Sequence, residues 1–188
     1  NTAIWQAAKS AESWLREHRC ASVAALKFDA SVKGDQQTRR NLGPIHINLA
    51  RRLERGLIVV QRPKDVNGQP QPEIVVALDA NTTAAETRGA DLNTADGRRA
   101  LSSATYRPAW GTGALQPDAF LTGMLRFDER GSHRVVLIVS GFLGQSPDKV
   151  VEVGKFPADL AVQDLIDAGR SFSTRGLFDG GKVERVGE

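Results

Sequence analysis

The side chains of this sequence best suited to binding chemistry are arginines concentrated in one short region. Between Arg39 and Lys64 the chain carries seven basic residues and a single acid, Glu54. The planar guanidinium group of arginine donates paired hydrogen bonds that match the oxygens of carboxylates and phosphates. Because the region is the only strongly one-signed part of the sequence, it predicts a surface that binds an anionic partner.

The hydrophobic periodicity of this region places the arginines on one side of a helix. Gly43-Pro44 marks the helix start, because proline is well tolerated in a first turn. At about 100° per residue, Arg51 and Arg55 lie opposite the apolar side and Arg52 lies at its border. The apolar side consists of Ile45, Leu49, Leu53 and Gly56.

The residues predicted to contact a partner are basic residues of this helix and of the loop after it. Acidic protein surfaces, nucleic acids and anionic lipids all suit such residues, and the alternative is a solvated helix face without a partner. No aromatic residue for base stacking lies among them and the sequence has no recognised DNA-binding motif, so nucleic acid is disfavoured. The predicted partner-binding residues are Arg51, Arg52, Arg55, Arg62 and Lys64.

The other residues that could do chemistry form no recognisable catalytic or metal-binding pattern. Gly111-Thr112-Gly113 lacks the third glycine and the strand-to-helix context of a dinucleotide-binding loop, and Ser140 is not in a GxSxG motif. None of the three histidines has a His, Cys or acidic residue three or four positions later that would complete a metal site. The sequence therefore predicts no cofactor, no metal and no enzymatic activity. The histidines are His18, His46 and His133.

The composition is that of an ordinary globular chain. Its 188 residues are 40% hydrophobic and 25% charged, which suits one domain with a sizeable core. The single cysteine, Cys20, excludes an internal disulfide, and we interpret it as a small buried hydrophobe. No stretch approaches the roughly 18 apolar residues of a membrane span. We expect one domain over residues 1–170 and a loosely held tail over residues 171–188.

Periodicity predicts an α/β domain of the α+β type, with a mixed, mostly antiparallel sheet flanked by helices. Leu57–Gln61 fits either a helix end or a short strand, and Asp79–Asn93 is expected to be irregular or to form one weak helical turn. Strands are expected over Ser22–Phe28, Glu73–Leu78 and Lys149–Phe156. Helices are expected over Thr2–His18, from Gly43-Pro44 onward, from Thr94 to about Thr105 and over Pro157–Gly169.

The longest predicted unit is a central hairpin from Asp118 to Leu143. Asp128–Gly131 supplies its turn. The return strand, Val135–Val139, consists of five branched aliphatic residues, so we expect both of its faces to be covered inside the sheet. Gly123 lies within the first strand, where we expect another group to lie close to its backbone.

The order of these segments resembles that of a known family. The strand SVAALKF leads through a polar loop to a helix ending LARRLERGLIVV, and later Asp118, Leu121 and Gly123 match an ADxxLxG pattern that opens a hairpin. The pattern is similar to the α/β domain shared by three groups of envelope proteins. These are the periplasmic region of the curli secretion channel, the lipoprotein activators of penicillin-binding proteins and the amino-terminal domain of the Tol-system propeller protein.

The resemblance implies a non-catalytic domain of an envelope protein that docks onto a partner or assembles with copies of itself. It also implies a location outside the cytoplasm, in the periplasm or at the envelope. The segments Arg62–Pro72 and Asp79–Gly113 are larger than the pattern suggests, and residues 1–19 contain no cysteine that would match a lipid-attachment motif. The function expected is therefore a protein-interaction or assembly module of a larger bacterial envelope or signalling protein. The alternative is a hydrolase or transferase with a site around Tyr106 to Asp118.

Overall fold

A computed structural model describes residues 2–32, 38–39, 45–61, 65–66, 69–70, 72–128 and 135–158. The helices are α1 (Thr2–Glu17), α2 (Ile45–Val60), α3 (Ala80–Glu86) and α4 (Ala95–Ser103). The strands are β1 (Ser22–Val32), β2 (Thr38–Arg39), β3 (Asp65–Val66), β4 (Gln69–Pro70), β5 (Val75–Leu78), β6 (Arg107–Pro108), β7 (Ala119–Phe127), β8 (Val135–Leu143) and β9 (Ser146–Pro157). Within the described ranges, no helix is both long and apolar enough to cross a membrane.

The strands form the predicted mixed sheet, in the order β6-β5-β1-β7-β8-β9, with β2 also paired to β1. Strand β1 runs parallel to β5 and β7, and the other pairings of this sheet are antiparallel. The predicted central hairpin is confirmed, because β7 pairs with β8 from Ala119 opposite Leu143 to Phe127 opposite Val135. A separate two-stranded sheet joins β3 and β4.

Each face of the sheet carries its own hydrophobic core. On one face α1 and α2 cover alternate residues of the strands, including Val23, Leu121 and Leu137. On the other face α3 and α4 cover Leu26, Phe120 and Phe142, among other residues. Leu121 and Phe120 are neighbours in the sequence and lie in opposite cores, as the two-residue period of a strand requires. The domain is therefore a three-layered α/β structure.

Close approach between elements depends on small residues, as predicted for Gly123. A Cβ atom at Gly123 would meet the Phe28 ring, with Cδ1 at 2.5 Å, and the carbonyl oxygen of Ile138. A Cβ atom at Gly141 would lie 2.9 Å from Trp14, and one at Gly56 would lie 3.0 Å from Ala8 Cβ. Gly141 therefore lets α1 lie against β8, and Gly56 lets α2 lie against α1.

The structure corrects several predicted boundaries. Strand β1 continues past Phe28 to Val32, because the long partner β7 offers pairing as far as Phe127. Leu57–Val60 is the end of α2, the first of its two predicted alternatives, whereas Asp79–Asn93 contains the seven-residue helix α3. Pro157 ends β9 and does not start a helix. The rest of the predicted C-terminal helix, the tail over residues 171–188, Gly43-Pro44, His133 and most of the turn Asp128–Gly131 lie outside the described residues.

Strand β1 contains a bulge that changes the direction of its side chains. Ala25 lies opposite Leu121 and Phe28 lies opposite Gly123, so β1 contains one residue more than β7 over the same span. Val23 belongs to the core under α1 and α2, and strict alternation would put Phe28 on the other face. The extra residue brings Phe28 back to the same core as Val23.

Candidate interaction surface on helix α2

The inner face of α2 packs against the sheet, in the core that α1 and α2 cover. Leu49, Leu53 and Leu57 are fully buried, and Ile45 is nearly so. Gly56 completes this face, since it lies directly against Ala8 of α1. The apolar side predicted from periodicity is thus the buried side, and the position of α2 on the sheet fixes which residues point outward.

The outer face of α2 carries the three predicted arginines. Arg51 and Arg55 are exposed and Arg52 is half-buried, as their angular positions predict. The guanidinium of Arg51 lies 3.2 Å from Oδ1 of Asp79, and both side chains are about half exposed. Across the described part of the chain, Arg52 and Arg55 make no ion pair. No carboxylate of the described residues therefore neutralises their charges by direct contact.

An apolar side chain extends the arginine face toward the end of the helix. Val59 lies four residues after Arg55, which places the two on the same side of the helix. Val59 is 44% exposed, one of the few large hydrophobic side chains of the described residues that are open to solvent. The outer surface of α2 thus offers cationic forks beside an apolar contact. We refer to Arg51, Arg52, Arg55 and Val59 together as the α2 face.

Glu54 is the feature of α2 that sequence reasoning missed. Its side chain is buried, with 6% of the residue exposed. Burial, followed by the charge of Asp79, raises the pKa of Glu54 to about 7, against the opposing effects of an Asp79 backbone hydrogen bond and the charges of Arg51 and Arg55. The signal was present in the sequence, because Glu54 stands four residues after Ala50 and three before Leu57, both on the buried side.

The remaining predicted basic residues contribute less to the described surface. Arg62 and Lys64 lie outside the described residues. Arg39 is in β2, where its backbone pairs with Ala30, and Arg40 also lies outside the described residues. The structure therefore brings together Arg51, Arg52 and Arg55 of the predicted set.

The alternative site around Tyr106 to Asp118 is not a single constellation. Tyr106 is buried, its hydroxyl donates to the Leu101 carbonyl at 3.0 Å, and burial raises its pKa. Asp118 Oδ2 accepts from the Ala21 N–H at 2.8 Å and from the Ser22 hydroxyl at 3.0 Å. These bonds tie the start of β7 to the start of β1.

A cavity of about 300 Å³ beside Asp118 is lined by polar residues, including His18, but Tyr106 does not reach it. Cys20 also lines this cavity, and burial followed by the charge of Asp118 raises its pKa to about 11. A thiol with such a pKa is protonated at neutral pH and is a poor nucleophile. Among the residues that the structure describes, no group of three His, Cys, Asp or Glu side chains could hold a metal ion.

Comparison with known proteins returned no match to a family model, a curated protein or a solved structure. The resemblance of the sequence to the envelope-protein α/β domain therefore stays a prediction.

Proposed function

We propose that this domain is a non-catalytic interaction module that binds an acidic protein surface through the α2 face. The observation that carries the proposal is the two-sided environment of α2. One side is fixed by fully buried leucines, while Arg52 and Arg55 on the other side make no ion pair within the described residues. A guanidinium group without an intramolecular carboxylate retains its donors for an anionic group on another molecule.

The chemistry of the α2 face favours a protein over a nucleic acid. Arginine is enriched at protein interfaces, where it combines with apolar contacts such as the one Val59 offers. Helix α2 has no Phe, Tyr or Trp side chain on which a base could stack. The partner is either another protein or a second copy of this chain. With the resemblance noted above, the proposal extends to a module of a larger bacterial envelope or signalling protein, outside the cytoplasm.

The structural roles of Tyr106 and Asp118 support binding over catalysis. The Tyr106 hydroxyl is buried and donates a hydrogen bond to the carbonyl oxygen of Leu101, in the same core. The Asp118 carboxylate has two donors from the start of β1. Tyr106 and Asp118 are therefore not placed to act together on one substrate.

Charge reversal on α2 tests the proposal. The variant R52E/R55E changes one half-buried and one exposed position. Its unfolding free energy should lie within about 1 kcal/mol of that of the wild type, because surface charges contribute little to stability. Immobilised wild-type domain, incubated with extract of its native source and crosslinked, should retain a protein that the variant does not. Retention should weaken as salt is added, since screening reduces contacts between exposed charges.

The matched control is R88E/R107E, which changes the formal charge equally at two exposed arginines outside α2. This control should retain the same protein as the wild type. Loss of the protein from both variants would show that overall charge governs retention. Equal retention by R52E/R55E and wild type would contradict binding through the α2 face.

A further inference from the structure

A second, separate feature is a cavity of about 470 Å³ just past the carboxyl end of β5. In the chain, α2 is the first helix after β1 and α3 is the first helix after β5, and these helices cover opposite faces of the sheet. Two parallel strands whose following helices go to opposite faces leave a crevice between them. In open α/β sheets such crevices are the usual location of ligands.

The gap in the sheet continues along β1. Strand β5 pairs with β1 only as far as Ala24, and β2 begins to pair near Ala30. Between these points β1 has β7 on one side and no neighbouring strand of the described chain on the other. The Ala25 carbonyl at the start of this gap accepts a hydrogen bond from the Asn81 side chain at 3.4 Å. The cavity lies here, between β1, the first turn of α2, and α3 with the loop that follows it.

The walls of the cavity combine apolar and polar groups in nearly equal measure. Leu26, Leu92 and Leu101 supply apolar surface, and Lys27 and Asn81 are among the polar lining residues. A volume of this size falls within the range of about 300–1,000 Å³ typical of small-molecule sites. Small-molecule sites use apolar contact for the body of a ligand and polar groups to orient it, and this cavity offers both.

The bulge in β1 is what brings Lys27 to the cavity. Without the extra residue, Lys27 would share a face with Val23 and would point under α1 and α2. Instead, Lys27 lines the cavity together with Leu26, which belongs to the opposite core. Lys27 is half-buried and makes no ion pair with the rest of the described chain. Bulges often re-aim a side chain beside a functional site.

The acidic residue of the lining does not contact this lysine. Asp91 Oδ1 accepts hydrogen bonds from the Asn93 N–H at 2.9 Å and from the Asn93 side-chain amide at 3.2 Å. No ion pair joins Asp91 to Lys27. Among the described residues of the lining, Lys27 is the one lysine or arginine that an incoming anionic group could meet.

We propose that this cavity binds a small molecule with an apolar body and one carboxylate or phosphate group, which pairs with Lys27. The site is distinct from the α2 face and does not depend on the proposed function. Its ligand is defined by shared chemistry, an anion attached to an apolar group, and the two anion types are separated by the test.

Three probes of similar size test the site: 1-naphthoate, 1-naphthyl phosphate and neutral 1-naphthalenemethanol. Each would be titrated into the 15N-labelled domain while backbone amide shifts are followed by NMR. We expect saturable shifts at Leu26, Asn81 and Leu92 with one or both anions, and the tighter anion identifies the preferred group. The neutral probe should bind about tenfold more weakly, the loss expected for one charge-assisted hydrogen bond.

Two variants and one control locate the effect. K27M should reduce the affinity of the preferred anion to that of the neutral probe, while A84F, which fills the cavity, should abolish binding of all three. K9M, on the exposed part of α1, should bind like the wild type. The proposal is overturned if the anions cause no saturable shifts in the wild type, if the neutral probe binds equally well, or if either folded variant, K27M or A84F, binds the anions as tightly as the wild type does.

Discussion

The buried carboxyl group of Glu54 should make the domain less stable as pH rises through neutrality. Burial and the nearby charge of Asp79 raise the pKa of Glu54 from 4.5 to about 7 in the folded state. Between these two values the folded protein binds a proton that the unfolded chain has released. The stabilisation is therefore fully present below about pH 4.5 and is lost as pH rises toward about 7.

The size of the effect follows from the shift. One pKa unit corresponds to about 1.4 kcal/mol, so the contribution of Glu54 to unfolding free energy should fall by about 3 kcal/mol across this window. The substitution E54Q keeps an oxygen that can accept the Asp79 N–H but removes the titrating proton. The difference in unfolding free energy between E54Q and wild type should therefore grow in favour of E54Q as pH rises.

Urea denaturation at a series of pH values measures this difference directly. Other titrating groups act on both proteins and cancel when the two curves are subtracted. The variant E86Q, at an exposed glutamate of α3, serves as the control and should follow the wild type at every pH. If the difference in unfolding free energy between wild type and E54Q stays constant from about pH 4.5 to about pH 7, Glu54 does not have the raised pKa assigned to it.

Three further predictions concern packing and reactivity. G123V should lower the unfolding free energy by about 3 kcal/mol in urea denaturation, because its side chain would overlap the Phe28 ring and a backbone carbonyl; a neutral result would show that the position is open. Alkylation of Cys20 by iodoacetamide at neutral pH should be far slower than alkylation of glutathione, because the thiol pKa is about 11, and equal rates would contradict this. R98M should lower the unfolding free energy by about 2 kcal/mol or more, since buried Arg98 donates to the Pro147 carbonyl at 2.5 Å; unchanged thermal stability would show that the bond contributes little.

Much of the architecture could be read from the sequence because it is encoded in short-range periodicity. The alternation of β7 and the run of aliphatic residues in β8 predicted the central hairpin, which the structure confirms. The angular positions of Arg51, Arg52 and Arg55 on α2 were also predicted correctly. In each case the signal lies within one element and does not depend on its neighbours.

Features that depend on contacts between distant segments could not be predicted in this way. The length of β1 is set by its pairing with β7, nearly a hundred residues later. Helix α3 begins at Ala80, after Asp79 in a left-handed conformation, and lies on a core that only the folded sheet creates. The cavity next to Lys27 requires both the bulge in β1 and the arrangement of α3, so no local pattern in the sequence marks it.

The most direct test of the proposed function is a binding titration of the captured protein against three forms of the domain. Wild type, R52E/R55E and R88E/R107E would each be titrated by surface plasmon resonance, at salt concentrations from about 50 to about 300 mM, over which the screening length shortens strongly. If the α2 face is the binding surface, wild type and R88E/R107E should bind tightly and with strong salt dependence. At the lowest salt concentration R52E/R55E should bind at least tenfold more weakly. Equal affinity of R52E/R55E and wild type at every salt concentration would contradict the proposal.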